Sequence, residues 1–137
     1  MRRWLLDTSA LLALRDDEPG ADRVVALLQQ AQAGQAICFG CFMTLMEVYY
    51  RVWRDEDPAA GRLAYEQCRS LPMEWIHESA ELLEAAAEFK ARYPLSLADA
   101  WIAATARLAG ATLVHKDPEF AALKISQEVL PLKFRQE

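Results

Sequence analysis

Arg3-Trp4-Leu5-Leu6-Asp7-Thr8-Ser9-Ala10-Leu11-Leu12 is the stretch on which the fold turns. Arg3 to Asp7 reads as a short buried strand that stops at an acid. Thr8-Ser9 then opens a helical run from Ala10 to Leu14. A strand that passes straight into a helix, repeated along a chain, builds a parallel sheet covered by helices. The rest of the sequence repeats that alternation.

Asp16-Asp17-Glu18-Pro19-Gly20 is a solvated loop. Ala21 to Gln32 is helical, with Val24, Leu27, Leu28 and Ala31 on one face. Gly34 stops that helix. Ala36 to Phe39 is a second buried strand. Thr44 to Arg54 is a helix whose core stripe is Leu45, Val48, Tyr49 and Val52. Asp57 caps the next helix, with Pro58 in its first turn, and that helix runs to about Ser70. Met73 to Ile76 is a third strand, and Ser79 to Tyr93 a long helix broken by Pro94. Ser96 to Leu108 is an almost wholly apolar helix, hence central, and Gly110 caps it. Thr112 to His115 is a fourth strand. Asp117-Pro118 follows with one helical turn. Val129 to Leu132 is expected as an edge strand, because Pro131 forbids a central one. The expected fold is three-layer α/β/α around a mostly parallel sheet, in one domain spanning residues 1–137.

Composition sets the class. The chain has 137 residues, 53% hydrophobic and 26% charged, with a net charge of −5. That describes a globular protein able to bury a core without disulfides. The negative balance argues against broad nonspecific nucleic-acid binding, and it suits a basic protein partner. Met1-Arg2-Arg3 imitates the start of a signal peptide, but Asp7 interrupts the apolar stretch. No apolar run approaches the ~20 residues that span a bilayer. The expected compartment is the cytoplasm, with no membrane contact. The cysteines are Cys38, Cys41 and Cys68, an odd count. Cys38-Phe39-Gly40-Cys41 is formally a CxxC, but zinc would need further ligands and only Cys68, His77 and His115 are available, without paired spacing. Buried free thiols are expected.

Asp7, Glu47, Asp99 and Asp117 stand apart from the other charges, because each lies in an apolar segment. A lone buried carboxylate costs several kcal/mol without a partner. In an open parallel sheet, ligands bind at the carboxyl ends of the strands. Asp7 ends the first strand, Asp117 follows the fourth, and Glu47 and Asp99 lie near helix starts. All are expected on one sheet edge. Each also fits a capping role on its own: Thr44-x-x-Glu47 and Ser96-x-x-Asp99 match the capping box, Asp117-Pro118 an N-cap before proline, and Asp7 a cap for the first helix. Glu47 has Arg51 four residues on as a possible ion-pair partner. Asp99, however, is surrounded by Ala98, Ala100, Trp101, Ile102, Ala103 and Ala106. Capping also keeps a carboxylate ionised, and an ionised carboxylate is the hard oxygen ligand that Mg²⁺ or Mn²⁺ takes. Clustered carboxylates repel unless a divalent cation neutralises them. The acids together point to metal-dependent hydrolysis of phosphate esters.

At these residues the chain resembles the PIN-domain ribonucleases, most closely the VapC-type toxins of bacterial toxin–antitoxin pairs. Leu5 to Ala13 resembles the family's first strand and turn. Thr44-Leu45-Met46-Glu47-Val48-Tyr49-Tyr50 is similar to its second motif, Leu97-Ala98-Asp99-Ala100-Trp101-Ile102-Ala103-Ala104 to its third, and Leu113-Val114-His115-Lys116-Asp117-Pro118-Glu119-Phe120 to its fourth. The resemblance implies a metal-dependent endoribonuclease. Asp7, Asp99 and Asp117 would hold Mg²⁺ or Mn²⁺, directly or through water, and Glu47 would complete the pocket. Water activated by the metal would attack an RNA phosphodiester in line. Thr8 or Ser9 would orient Asp7 or meet a phosphate. The resemblance further implies a homodimer and a small antitoxin whose C-terminal segment occupies the acidic site. His115 departs from the family, which usually carries Thr or Ser there; imidazole can accept a proton, bind phosphate or ligate metal, or simply be a buried strand-end histidine. Glu119 matches an often acidic position and is a further candidate. Arg15, Arg51, Arg54 and Lys116 lie nearest the acids in sequence and are candidate RNA contacts. Tyr49, Tyr50, Trp53 and Trp101 are either base-stacking or packing residues.

One other reading is open and a second is set aside. A PIN-like module that binds protein without catalysis would need no metal. A haloacid dehalogenase-type phosphatase wants a second Asp two residues after the first, where this chain has Ser9.

Overall fold

The computed structural model describes residues 1–132. β1 (Arg2–Leu6) passes into α1 (Thr8–Arg15) and α2 (Ala21–Gln32). β2 (Ala36–Cys41), α3 (Phe42–Asp55), α4 (Pro58–Arg69) and β3 (Glu74–Ile76) follow. α5 (Ala80–Arg92), α6 (Leu97–Ala109), β4 (Thr112–His115), a 3-10 turn at Pro118–Phe120 and β5 (Gln127–Val129) complete the order. The sheet runs β3-β2-β1-β4-β5, and every described pairing in it is parallel.

Side chains alternate across a strand, and β1 shows what that does here. Leu5 faces the layer of α5 and α6, packing with Phe39, Leu82, Phe89, Ile102 and Leu113. Trp4 and Leu6 face the opposite layer, with Leu11, Val24, Leu27, Val48 and Val114. A strand apolar on both faces is the signature of a central parallel strand. The alanines of α6 (Ala100, Ala103, Ala104, Ala106) are all buried, so this helix lies close against the sheet. Gly61 does the same for the α3–α4 pair, where a Cβ would meet the Tyr49 carbonyl oxygen at 2.7 Å. Gly110 ends α6 at φ +60°, a left-handed cap as its position predicts.

The elements differ from expectation at their ends. β1 closes at Leu6 and leaves Asp7 as the N-cap of α1. β2 continues past Phe39, because Gly40 and Cys41 still pair with Trp75 and Ile76. α3 therefore begins at Phe42, with Cys41 at its cap position and no side-chain cap. Thr44 does not cap this helix; it lies within it, fully buried. β5 is Gln127–Val129 rather than 129–132, since its ladder with β4 ends where His115 meets Val129.

The sheet order carries the functional consequence. The chain runs from β1 outward through β2 to β3, then crosses back through α5 and α6 to place β4 on the other side of β1. That reversal opens a crevice at the carboxyl ends of β1 and β4, the usual ligand position in an open parallel sheet.

Candidate active site

Asp7 enters the crevice from β1. It is 3% exposed, its backbone N–H donates to the Val114 carbonyl of β4, and its Oδ1 accepts from Ala10 N–H at 2.8 Å. Ser9 Oγ also donates to Asp7 Oδ1, at 2.7 Å, and accepts from Lys116 N–H at 2.9 Å. One hydroxyl thus ties the acid after β1 to the backbone after β4. Burial above all, then the charges of Asp117 and Glu47, lift the Asp7 carboxyl to about 7, against the lowering effect of the Ser9 and Ala10 hydrogen bonds.

Glu47 projects from the second turn of α3 and is 6% exposed. Thr8 Oγ1 donates to its Oε1 at 2.7 Å, and Arg51 donates to its Oε2 at 3.2 Å. Thr44 Oγ1 is a second acceptor within reach of the Thr8 hydroxyl, at 3.1 Å, so the one Thr8 proton is directed toward both the Glu47 carboxylate and Thr44. Glu47 therefore faces inward, near enough to Asp7 for its charge to act there.

Asp99 sits in the first turn of α6, whose N-cap Ser96 accepts from the Asp99 N–H at 3.1 Å. The helix start carries it to the same crevice, against Asp117 and Glu119 from the segment after β4. Carboxylate oxygens of Asp99, Asp117 and Glu119 all fall within 4.8 Å of one another. Desolvation by burial, with Glu119 and Asp117 alongside, pushes the Asp99 carboxyl well above the usual carboxylate range. Asp117 also caps the 3-10 turn, its Oδ1 accepting from Glu119 N–H at 2.9 Å.

The crevice gathers all the acids expected there, with one change in rank. The tight triad is Asp99, Asp117 and Glu119. Asp7 stands beside it, close enough for its charge to act on Asp117. Glu119, named from sequence only as an accessory, is a full member. Oxygens on a single octahedral ion lie roughly 3–4 Å apart, so small side-chain rotations bring the triad onto one cation. The donors are hard oxygens, suited to Mg²⁺ or Mn²⁺ rather than to softer ions. Among the described residues no ion pair reaches Asp99, Asp117 or Glu119. The set fits a divalent cation.

His115 is 1% exposed at the end of β4. Its Nδ1 accepts from Asp117 N–H at 3.0 Å, and its Nε2 lies 2.8 Å from Gln127 Oε1. Burial lowers its pKa, and the Asp117 N–H makes Nδ1 an acceptor. Gln127 is the residue that sequence reasoning missed, since a lone glutamine near a chain end carries no pattern.

The basic candidates divide. Arg51 touches the pocket through Glu47. Arg15 is held by Asp16 and Glu56, and Arg54 lies 3.9 Å from Asp55. Lys116 Nζ is buried 3.6 Å from Glu18. Trp101 packs edge-on against Phe42, and Tyr49 stacks on Tyr65, so both are packing residues. Tyr50 and Trp53 are substantially exposed. Burial raises all the thiols: Cys38 and Cys68 to about 11, and Cys41 above its ordinary value. None is the low-pKa thiolate that CxxC redox chemistry needs.

Several solved structures share this fold. VapBC2 from Rickettsia felis, bound to a promoter DNA fragment, matches at a TM-score of 0.75 with 18% identity, over 94% of this chain and 99% of that one. Mycobacterium tuberculosis VapC20, described as a sarcin-ricin loop cleaving toxin, matches at 0.67 with 23% identity, over 93% and 98%. A toxin–antitoxin complex from Klebsiella pneumoniae matches at 0.59 with 25% identity, over 88% and 92%. No curated protein sequence matches the chain. The family model of the PIN domain matches residues 4–125, nearly the whole described length, and the chain belongs to the PIN domain family.

Proposed function

We propose that this protein is a divalent-metal-dependent endoribonuclease, acting in the cytoplasm as the toxin of a toxin–antitoxin pair. The observation that carries the reading is the convergence of Asp99, Asp117 and Glu119 within 4.8 Å at a strand-order reversal. Asp7 and Glu47 border the same crevice.

In this reading Asp99 and Asp117 hold Mg²⁺ or Mn²⁺, with Glu119 and Asp7 contributing directly or through water. When bound, such a cation offsets charge on the phosphoryl group and lowers the pKa of water at the site. The protein supplies the geometry. Ser9 fixes Asp7 against the segment after β4. Thr8 and Arg51 hold Glu47 at the pocket wall, where its carboxylate can take a proton from an attacking water or orient it. Arg51 spends one N–H on Glu47 and its side chain is 40% exposed, so its remaining donors are the leading candidates to meet an RNA phosphate. Arg15, Arg54 and Lys116, paired or facing acids within the chain, are weaker candidates for that contact.

RNA as substrate is supported by family membership and by the structural likeness to VapC20, a sarcin-ricin loop cleaving toxin. A small antitoxin as partner is supported by the VapBC and toxin–antitoxin complexes among the structural neighbours. Exposed Met46, Tyr50, Trp53, Leu63 and Leu97 are apolar surface that such a partner, or a second copy of the chain, would cover. No helix among the described residues is long and apolar enough to cross a membrane.

The test is cleavage of a structured RNA by purified protein. Products should form with Mg²⁺ or Mn²⁺, stop with excess chelator, and fall at least a hundredfold in Asp99→Asn with the fold retained. Undiminished cleavage in chelator and in Asp99→Asn would remove the reading.

A further inference from the structure

We infer that His115 is a positioning residue for the acids after β4, acting with Gln127 as a two-residue clamp. The inference rests on the proposed cation site, because its effect is read through Asp117 and Glu119. The protonation pattern follows from the donors alone. The Asp117 backbone N–H can only donate, and it points at His115 Nδ1 at 3.0 Å. Nδ1 is therefore the acceptor, and the ring proton is on Nε2. Nε2–H then donates to Gln127 at 2.8 Å, so the amide must present its oxygen there. The Gln127 NH₂ is left to donate to the Phe120 and Leu123 carbonyls, at 2.8 and 3.1 Å. Both carbonyls are acceptors, so the assignment closes without conflict at either end of the amide.

This network spans the segment that carries the acids. His115 holds the backbone at Asp117, and Gln127 holds it at Phe120 and Leu123. Asp117 is thus held at its own backbone, and Glu119 lies between the anchors, its N–H donating to Asp117 Oδ1. Phe120, fully buried, packs edge-on against the His115 ring with centroids 4.8 Å apart. The β4–β5 ladder adds a backbone anchor, Leu130 N–H to the His115 carbonyl at 2.7 Å. Groups that orient metal ligands from behind are worth 10–100-fold in metal affinity.

The test separates the two nitrogens. Asn places its amide oxygen where Nδ1 lies, and Gln places its terminal amide near Nε2. Mn²⁺ affinity by calorimetry and thermal midpoint in chelator are measured for wild type, His115→Asn and His115→Gln. His115→Asn should keep Mn²⁺ affinity within about threefold, whereas His115→Gln should lose tenfold or more. Both should lose similar thermal stability, since each gives up one buried hydrogen bond. Equal affinity losses in the two variants, or none in either, would overturn the clamp while leaving the cation site standing. Absence of saturable Mn²⁺ binding in wild type would instead remove the cation reading beneath it. A variant-free check covers failure of either protein to fold. Imidazole ¹⁵N shifts of the wild-type protein should show His115 as the neutral Nε2–H form, and an Nδ1–H form contradicts the proposal.

Discussion

Asp7 keeps its carboxyl where water does not reach it, beside two other acids. Its pKa of about 7 is a statement about stability. The folded value lies above the unfolded one of 3.8, so the fold binds the proton more tightly than the unfolded chain does. The stability this contributes is complete below about pH 4 and is lost as pH rises through 7, at up to about 1.4 kcal/mol per pH unit. Asp99 shifts the same way and extends the window upward. In chelator, the thermal midpoint should therefore fall from about pH 5 to about pH 8, and excess Mn²⁺ should flatten that fall. A midpoint that rises with pH in chelator would contradict the burial of uncompensated acids. The same argument gives Asp99→Asn two opposite signs. At pH 8 in chelator it should melt higher than wild type, and in Mn²⁺ it should lose the metal-dependent gain.

At the scale of elements, α3 and its partners show what sequence reveals and what it hides. The core stripe Leu45, Val48 and Val52 is legible because burial imposes a 3.6-residue period. In sequence alone Thr44 fits a cap, because a hydroxyl three residues before a glutamate matches the capping box, but in the structure it lies inside the helix. The strand before it runs two residues further than its apolar pattern suggests, so the helix starts earlier and Thr44 turns inward to Thr8. That contact links α1 to α3 across 36 residues, and no local pattern announces it. Thr8→Val keeps the shape and removes the donor to Glu47, which should cost about 1–3 kcal/mol of stability by denaturant titration. Gly61 tests the helix pair. On propensity alone Gly→Ala gains about 1 kcal/mol in a helix interior, but here the added Cβ would sit 2.7 Å from the Tyr49 carbonyl. Gly61→Ala should therefore be destabilising, and a stabilised variant would show that α3 and α4 are not in such close contact.

For the whole molecule, the β3-β2-β1-β4-β5 order is what turns scattered acids into a site. Sequence placed Asp7, Glu47, Asp99 and Asp117 at strand ends and helix starts, which was enough to predict one shared edge. It could not rank them, because distance between carboxylates depends on how α6 and the segment after β4 close over the crevice. Glu119 is exposed and carries little sequence signal beyond an often acidic position; its place in the triad comes from the 3-10 turn that Asp117 caps. The central claim is that this crevice holds one divalent cation among these carboxylates. Anomalous diffraction from a crystal soaked in Mn²⁺ tests it most directly. An anomalous peak is expected within coordination distance, about 2.0–2.4 Å, of oxygens from at least two of Asp99, Asp117 and Glu119, with Asp7 beside it. A fully occupied Mn²⁺ elsewhere on the chain with this crevice empty would contradict it.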